Sequence, residues 1–302
     1  MWIFVALLGN AVLAIVGIMN KLILTKSVSR PVIFAFYSTI FVLPFFLLLP
    51  FGIKIPDAWT DYLVFSLSGF CFAFGVWTMY IAFQESEVSH VGPLVGVAVS
   101  IFVLFLSRIF LAEKLSAYNL LAVAVLIIGL LAISFEKSEQ HNGWHRGMNW
   151  GVLSGFLFAV SHVAAKYIYN TYDFYSGFVW TRLPIGIFGA ALLLFPSVRA
   201  VFYHRHEEAV DRTPVRKQLA LIVGTIVLGL VGVILVQYAT ALGSVSLVNA
   251  LAGVQYALII IFAALLSKFW PRVLKEIYTR KEILQETAAV IIIGIGLVLL
   301  MK

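Results

Sequence analysis

Residues 88–97 read Val-Ser-His-Val-Gly-Pro-Leu-Val-Gly-Val, and residues 245–254 read Val-Ser-Leu-Val-Asn-Ala-Leu-Ala-Gly-Val. At a fixed offset, Val88, Ser89, Val91, Leu94, Gly96 and Val97 match Val245, Ser246, Val248, Leu251, Gly253 and Val254. Each stretch opens a long apolar run, the fourth and the ninth along the chain. Two further matches keep this spacing of five. Lys21, near the end of the first run, pairs with Lys166 near the end of the sixth. Ile127-Ile128-Gly129 in the fifth resembles Ile292-Ile293-Gly294 in the tenth. The chain therefore reads as two copies of a five-run unit, 1–136 and 147–302.

The runs identify the solvent. Of the 302 residues 62% are hydrophobic and 12% charged, with a mean hydropathy of +1.02. Soluble domains are about half apolar and about a quarter charged. Ten runs, near 2–24, 31–51, 61–83, 90–112, 116–135, 148–169, 174–196, 218–240, 245–267 and 285–301, approach the length that crosses a bilayer. They are continuous rather than alternating, which excludes a β-barrel. The expected fold is an all-α polytopic membrane protein of ten transmembrane helices. Because five is odd, the second unit enters the bilayer from the opposite face, so the repeats are inverted. The first run lacks a basic leader and is longer than a signal-peptide core, so it is expected to remain as the first helix. Cys71, the single cysteine, lies within a run and rules out an intramolecular disulfide.

Two connections, 197–216 and 268–284, read as solvated loops. His204 and His206 in the first lack the carboxylate or thiol spacing of a metal site, so no metal is expected. All fourteen carboxylates fall in loops or at span ends, which leaves no acid for proton coupling in mid-membrane. Of the 21 basic residues, three lie inside spans, four (Lys54, Arg108, Lys114, Lys302) on the face of the termini, and fourteen on the other face. The positive-inside rule then places both termini outside the cytoplasm. No phosphate-cradling glycine loop followed by Lys-Ser/Thr is present, so no nucleotide-driven pumping and no cofactor are expected. The basic loops orient the chain against the bilayer; no nucleic-acid partner is implied.

Ala82-Phe83, the run from Val88 to Leu94, Ala112-Glu113-Lys114-Leu115-Ser116 and Gly129 together resemble the EamA-type repeat of the drug/metabolite transporter superfamily. That repeat has a proline early in its fourth helix, a Glu-Lys/Arg-Leu-Ser/Thr turn before its fifth, and a glycine within the fifth. The resemblance covers nearly the whole chain as two five-helix units. The second unit departs from it: Ala250 stands at the proline position, and the turn is expanded into 268–284 with Lys275-Glu276. The resemblance implies a secondary transporter with its pathway between the halves and peripheral fifth and tenth spans. It also implies cytoplasmic termini, against the loop charge, which is followed here. The plasma (inner) membrane is the expected location, and the oligomeric state is open, a monomer being compatible.

A charge in mid-bilayer costs at least a few kcal/mol, so cations within spans should face a wet cavity or a partner. Lys21 and Lys166 sit about a turn from helix ends, where their stems can snorkel. Arg182 lies eight residues into the seventh span, roughly 12 Å deep, and is the strongest candidate for lining a cavity. His162 shares a helix face with Lys166 four residues on, and an imidazole titrates near neutrality, which makes it a candidate proton carrier. Asn20, Tyr37, Thr39, Trp77, Tyr80, Trp180, Asn249, Gln255 and Tyr256 complete the candidate binding set. Pro44, Pro93 and Pro184, with Gly92, Gly96 and Gly253, are candidate hinges, and Gly92-Pro93 makes span four the expected gate. Gly147, Gly151 and Gly155 read as a close-packing stripe.

A cationic, aromatic site without a buried acid suits a small organic metabolite bearing a carboxylate or phosphate, such as an amino acid, moved by alternating access. No catalytic residues are expected. The alternatives are a multidrug or organic-cation exporter of the same fold, an enzyme acting on a lipid-linked substrate through Glu85, Glu87 and His90, and a channel.

Overall fold

A computed structural model describes residues 1–24, 31–86, 88–134, 146–203, 215–269 and 280–301; the side chains of 21–24, 88–90, 201–203, 215–222 and 280–281 fall outside that description. In hydrocarbon every backbone amide must be paired within the segment, which leaves apolar runs one regular option, the helix. The helices are α1 (Trp2–Leu24), α2 (Pro31–Ile40), α3 (Trp59–Glu85), α4 (Val88–Phe110), α5 (Ala117–Ser134), α6 (Arg146–Thr171), α7 (Phe174–Ala191), α8 (Pro196–Tyr203), α9 (Val215–Leu242), α10 (Val245–Ala250), α11 (Ala252–Phe269) and α12 (Arg280–Leu300). Among the described residues there is no strand, and ten segments are long and apolar enough to cross a membrane. The protein is an all-α, multi-pass membrane protein. Its outer surface is apolar, as lipid contact requires: Phe105, Leu194 and Ile291 are all more than half exposed.

Three local readings change. The second run is not one α-helix: α2 stops at Ile40, and a 3-10 segment, Leu43–Leu48, completes the span. Pro44 is the second residue of that segment and is exposed. At such an N-terminal position its missing N–H leaves no ladder bond broken, so it is no mid-helix kink. The loop expected from residue 197 begins instead with α8. The ninth span is interrupted at Leu251, whose amide turns back to the Asn249 and Leu247 carbonyls, while the Val254 N–H reaches Leu251 O at 2.9 Å. Span four, where the hinge was expected, runs unbroken through Pro93. The interruption falls in the copy without the proline. There the Asn249 carboxamide donates to Val245 O at 2.8 Å, competing with the backbone for that carbonyl.

Small residues let the helices approach closely. The principal pairings are α3 with α6, α1 with α9, α4 with α6, and α5 with α12. A Cβ on Gly155 would clash with the Ala98 Cβ, Gly151 lies against Val91 of α4, and Gly147 lies against Ala82 and Ser86 at the end of α3, so the stripe on α6 packs closely against both helices. A Cβ on Gly75 would lie 2.9 Å from the Phe158 ring, and one on Gly232 would lie 2.8 Å from Leu13. These are one contact with the halves exchanged. Leu13 and Phe158 differ by the same 145 positions as Lys21 and Lys166; Gly75 and Gly232 differ by the same 157 as the two quoted stretches. Gly129 under Ile293 and Gly296 under Leu126 are likewise equivalent. Contact therefore matches Gly129 with Gly296, two residues from the Gly294 that sequence similarity selects. Gly294 faces open space.

Candidate functional site

Among the described residues Arg182 is the one buried charged side chain, 5% exposed. Its helix is anchored at Asp173, whose carboxylate accepts the Ser176 N–H at 3.0 Å as an N-cap. Two turns deeper, the Arg182 guanidinium carbon lies 4.5 Å from the Phe178 ring centroid and 5.5 Å from that of Phe72. Phe178 precedes it by one turn on α7; Phe72 comes from α3 in the other half. Cation–π contact of this kind is worth about 0.5–2 kcal/mol and compensates part of the cost of burying the charge. Tyr169 also interacts with the guanidinium. The Arg182 Nε remains buried with no hydrogen-bond partner, and among the described residues Arg182 forms no ion pair.

A wall of rings leads from Arg182 to His162. Phe72 lies 5.3 Å from Phe158, and Phe158 stacks on His162 at 6.3 Å between centroids. The His162 Nδ1 is 2.6 Å from Asn249 Oδ1, and the charge of Arg182 acts on the imidazole. Arg182, His162 and Asn249, three of the residues singled out in the sequence, thus gather where α3, α6, α7 and α10 meet. Along the same face of α6, Lys166 donates to Ala241 O at 3.1 Å and Tyr169 to Gln237 Oε1 at 3.1 Å.

The other candidates lie elsewhere. Trp180 points away from Arg182, donating from Nε1 to Lys54 O at 2.9 Å and stacking on Phe65. Trp77 packs on Phe188 and Phe195, and Tyr80 hydrogen bonds Ser38 at 2.8 Å. Thr39 bonds back to Ala35 O within α2. Tyr37 and Asn20 are exposed, and Gln255 is half-buried. Tyr256 covers Gly92 and Gly96, so these two glycines seat its ring. Gly253 lies against Leu130 and Ile293, and Pro184 against Gly69. The side chains of Lys21 and His90, and Glu87 and His204–His206 entirely, lie outside the described residues. Phe72, Phe158, Phe178, Tyr169 and Gln237 were not singled out. Tyr169 carried a signal, since it continues the face of His162 and Lys166 at helical spacing; so did Gln237, a polar residue deep in a span.

The face carrying the termini is tied across the halves. Trp2 covers Gly243 there. The Tyr172 hydroxyl donates to Asp61, Lys54 pairs with Asp173 at 3.6 Å, and Ser246 donates to Glu113 at 2.5 Å while sharing a 2.8 Å hydrogen bond with Ser107. The bond to Asp61 pushes the Tyr172 phenol up to about 12. In the turn before α5, Ser116 caps the helix by accepting the Asn119 N–H at 3.1 Å, and Glu113 reaches across to the other half. On the opposite face Arg146 pairs with Glu85 at 3.6 Å, which also crosses the halves. A groove of about 610 Å³ between α11 and α12, lined by Ile260, Ala264, Leu265 and Val290, lies away from these residues.

The model of the EamA-like transporter family matches residues 1–135. The likeness to that family is therefore carried by the first five spans. The match supports a membrane transporter in general. No curated protein matches the chain. Among 28 matching chains of solved structures, one described as "Crystal structure of protein" covers 98% of this chain and 98% of its own, with a TM-score of 0.66 at 15% identity. That likeness is one of fold, and it extends over both halves of the chain.

Proposed function

We propose that this transporter is a secondary carrier for a small organic anion, bearing a carboxylate or phosphate, and that Arg182 reads the negative charge. The observation that carries the reading is the buried, ion-pair-free guanidinium with an unpartnered Nε, set against rings from both halves. A charge held this way is costly until an anion reaches it. An organic-cation cargo would call for a buried acid, and the buried polar side chains among the described residues include none.

Alternating access is supported by contacts that recur with the halves exchanged, Leu13 on Gly232 and Phe158 on Gly75. Two inverted five-helix units, 1–136 and 147–302, can exchange conformations about a midplane site. The ties at the terminal face hold the halves together there, so release of cargo through that face requires them to part. Loop charge favours a non-cytoplasmic position for this face, in the plasma membrane.

The test is thermal stabilisation of the purified protein by carboxylated and phosphorylated metabolites, beside Arg182→Gln, followed by uptake in proteoliposomes. A ligand of the folded site raises the melting temperature once its concentration exceeds its Kd. Stabilisation by anions that disappears in the variant is the expected result. Stabilisation by organic cations, unaltered in the variant, would overturn the reading.

A further inference from the structure

The His162–Asn249 pair fixes a proton position that bears on which anion is carried. The Asn249 Nδ2 donates to the Val245 carbonyl at 2.8 Å, so the amide nitrogen is assigned by its partner. Its Oδ1, 2.6 Å from His162 Nδ1, must then accept. The neutral imidazole therefore carries its hydrogen on Nδ1, and Nε2 presents a bare lone pair. The ring is half-buried, and Nε2 has no hydrogen-bond partner among the described residues. A donor-rich guanidinium and an acceptor-only ring nitrogen thus stand at the two ends of the wall formed by Phe72 and Phe158.

Resting on the anionic reading above, we infer that the cargo is an organic acid that also carries a hydroxyl, whose hydrogen His162 Nε2 accepts while Arg182 takes the acid group. The pair selects hydroxy acids over amino acids. An ammonium could also donate to Nε2, but it would enter beside the Arg182 charge, where no buried side chain among the described residues is acidic. Like charges in a low-dielectric site repel strongly. A hydroxyl supplies the same hydrogen without the charge. The duplication does not repeat this arrangement: at the two established offsets, His162 and Asn249 correspond to Gly17 and Gly92. The reader is built into the second half alone.

The experiment uses the full purified chain and two triplets of matched acids: lactate, propionate and alanine, and their phenyl-bearing counterparts 3-phenyllactate, 3-phenylpropionate and phenylalanine. Affinity is read by thermal stabilisation and by calorimetry. One neutral hydrogen bond makes the hydroxy acid of the accepted size bind roughly 2- to 10-fold tighter than its deoxy partner, with the amino acid weakest. In His162→Leu, and in His162→Gln if the first variant folds poorly, the ratio of hydroxy-acid to deoxy-acid affinity falls to about one. Equal binding of hydroxy and deoxy acids, or preference for the amino acid, overturns this inference and leaves the anion carrier standing. Silence from all six acids, with stabilisation by organic cations instead, removes the anion reading itself.

Discussion

The Lys166 ammonium donates to the backbone carbonyl of Ala241 at 3.1 Å, in the last turn of α9. The final carbonyls of a helix have no partner within it, and a cation there also meets the negative end of the helix dipole. Lys166 therefore serves a neighbouring helix end, and the charge is spent on structure. Lys166→Met should lower stability by about 1 kcal/mol, measured as a drop in melting temperature. Anion affinity should stay within roughly twofold, because the site and the cap share no partner.

Arg182→Met should behave in the opposite way. Replacing a buried charge by an apolar side chain of similar length stabilises a protein by about 1–4 kcal/mol where the charge lacks a full set of partners. The ligand-free variant should melt above the wild type and gain nothing from added anions. A ligand-free variant that melts lower would mean that the contacts to Phe72, Phe178 and Tyr169 outweigh the burial cost.

Gly155 and Gly294 make a matched pair of tests. A Cβ on Gly155 would come within 2.4 Å of the Ala98 Cβ and 3.1 Å of the Val95 carbonyl, so α4 and α6 would have to separate. Gly155→Ala should cost about 1–3 kcal/mol. Nothing lies within 4 Å of the corresponding point on Gly294. Gly294→Ala should be neutral or stabilising by up to about 1 kcal/mol, since alanine favours the helix. Chemical unfolding in mild detergent separates the two.

Asp173 gives a pH dependence whose sign is fixed. Burial raises its carboxyl, but the Ser176 amide and hydroxyl and the Lys54 ammonium outweigh that and hold it below the ordinary carboxylate value. A depressed folded value contributes stability above the unfolded pKa and loses it as pH falls through the folded one. Asp173→Asn keeps a capping oxygen but not the charge. The wild type should exceed this variant at neutral pH, and the difference should vanish as the carboxylate protonates in acid. A constant difference across the titration would sever the link.

The ten spans, the absence of a mid-membrane acid and the depth of Arg182 were legible in the residues alone. Each follows from the price of polar groups in hydrocarbon, which is set by residue type and position along a run and needs no knowledge of neighbours. Phe178 was within reach of the same reasoning, one turn from Arg182 on one helix. Phe72 was not, because it arrives from α3, more than a hundred positions away. Helix regularity at Pro93 and the interruption at Leu251 were likewise not legible in the residues alone. Proline removes one hydrogen bond, which a helix near its start tolerates, whereas at Leu251 the Val254 N–H bonds the Leu251 carbonyl, three residues back.

Sequence by itself determined the solvent of this protein and the ten segments able to cross a membrane. Both are sums or spacings along one chain. Tertiary structure decided which cation caps a helix and which is buried among aromatic rings, which ring nitrogen of His162 faces Asn249, and which glycine of α12 meets Leu126. These depend on side chains brought together from distant spans. Without a hydrophobic drive between helices in lipid, it is close packing and hydrogen bonding that select those partners.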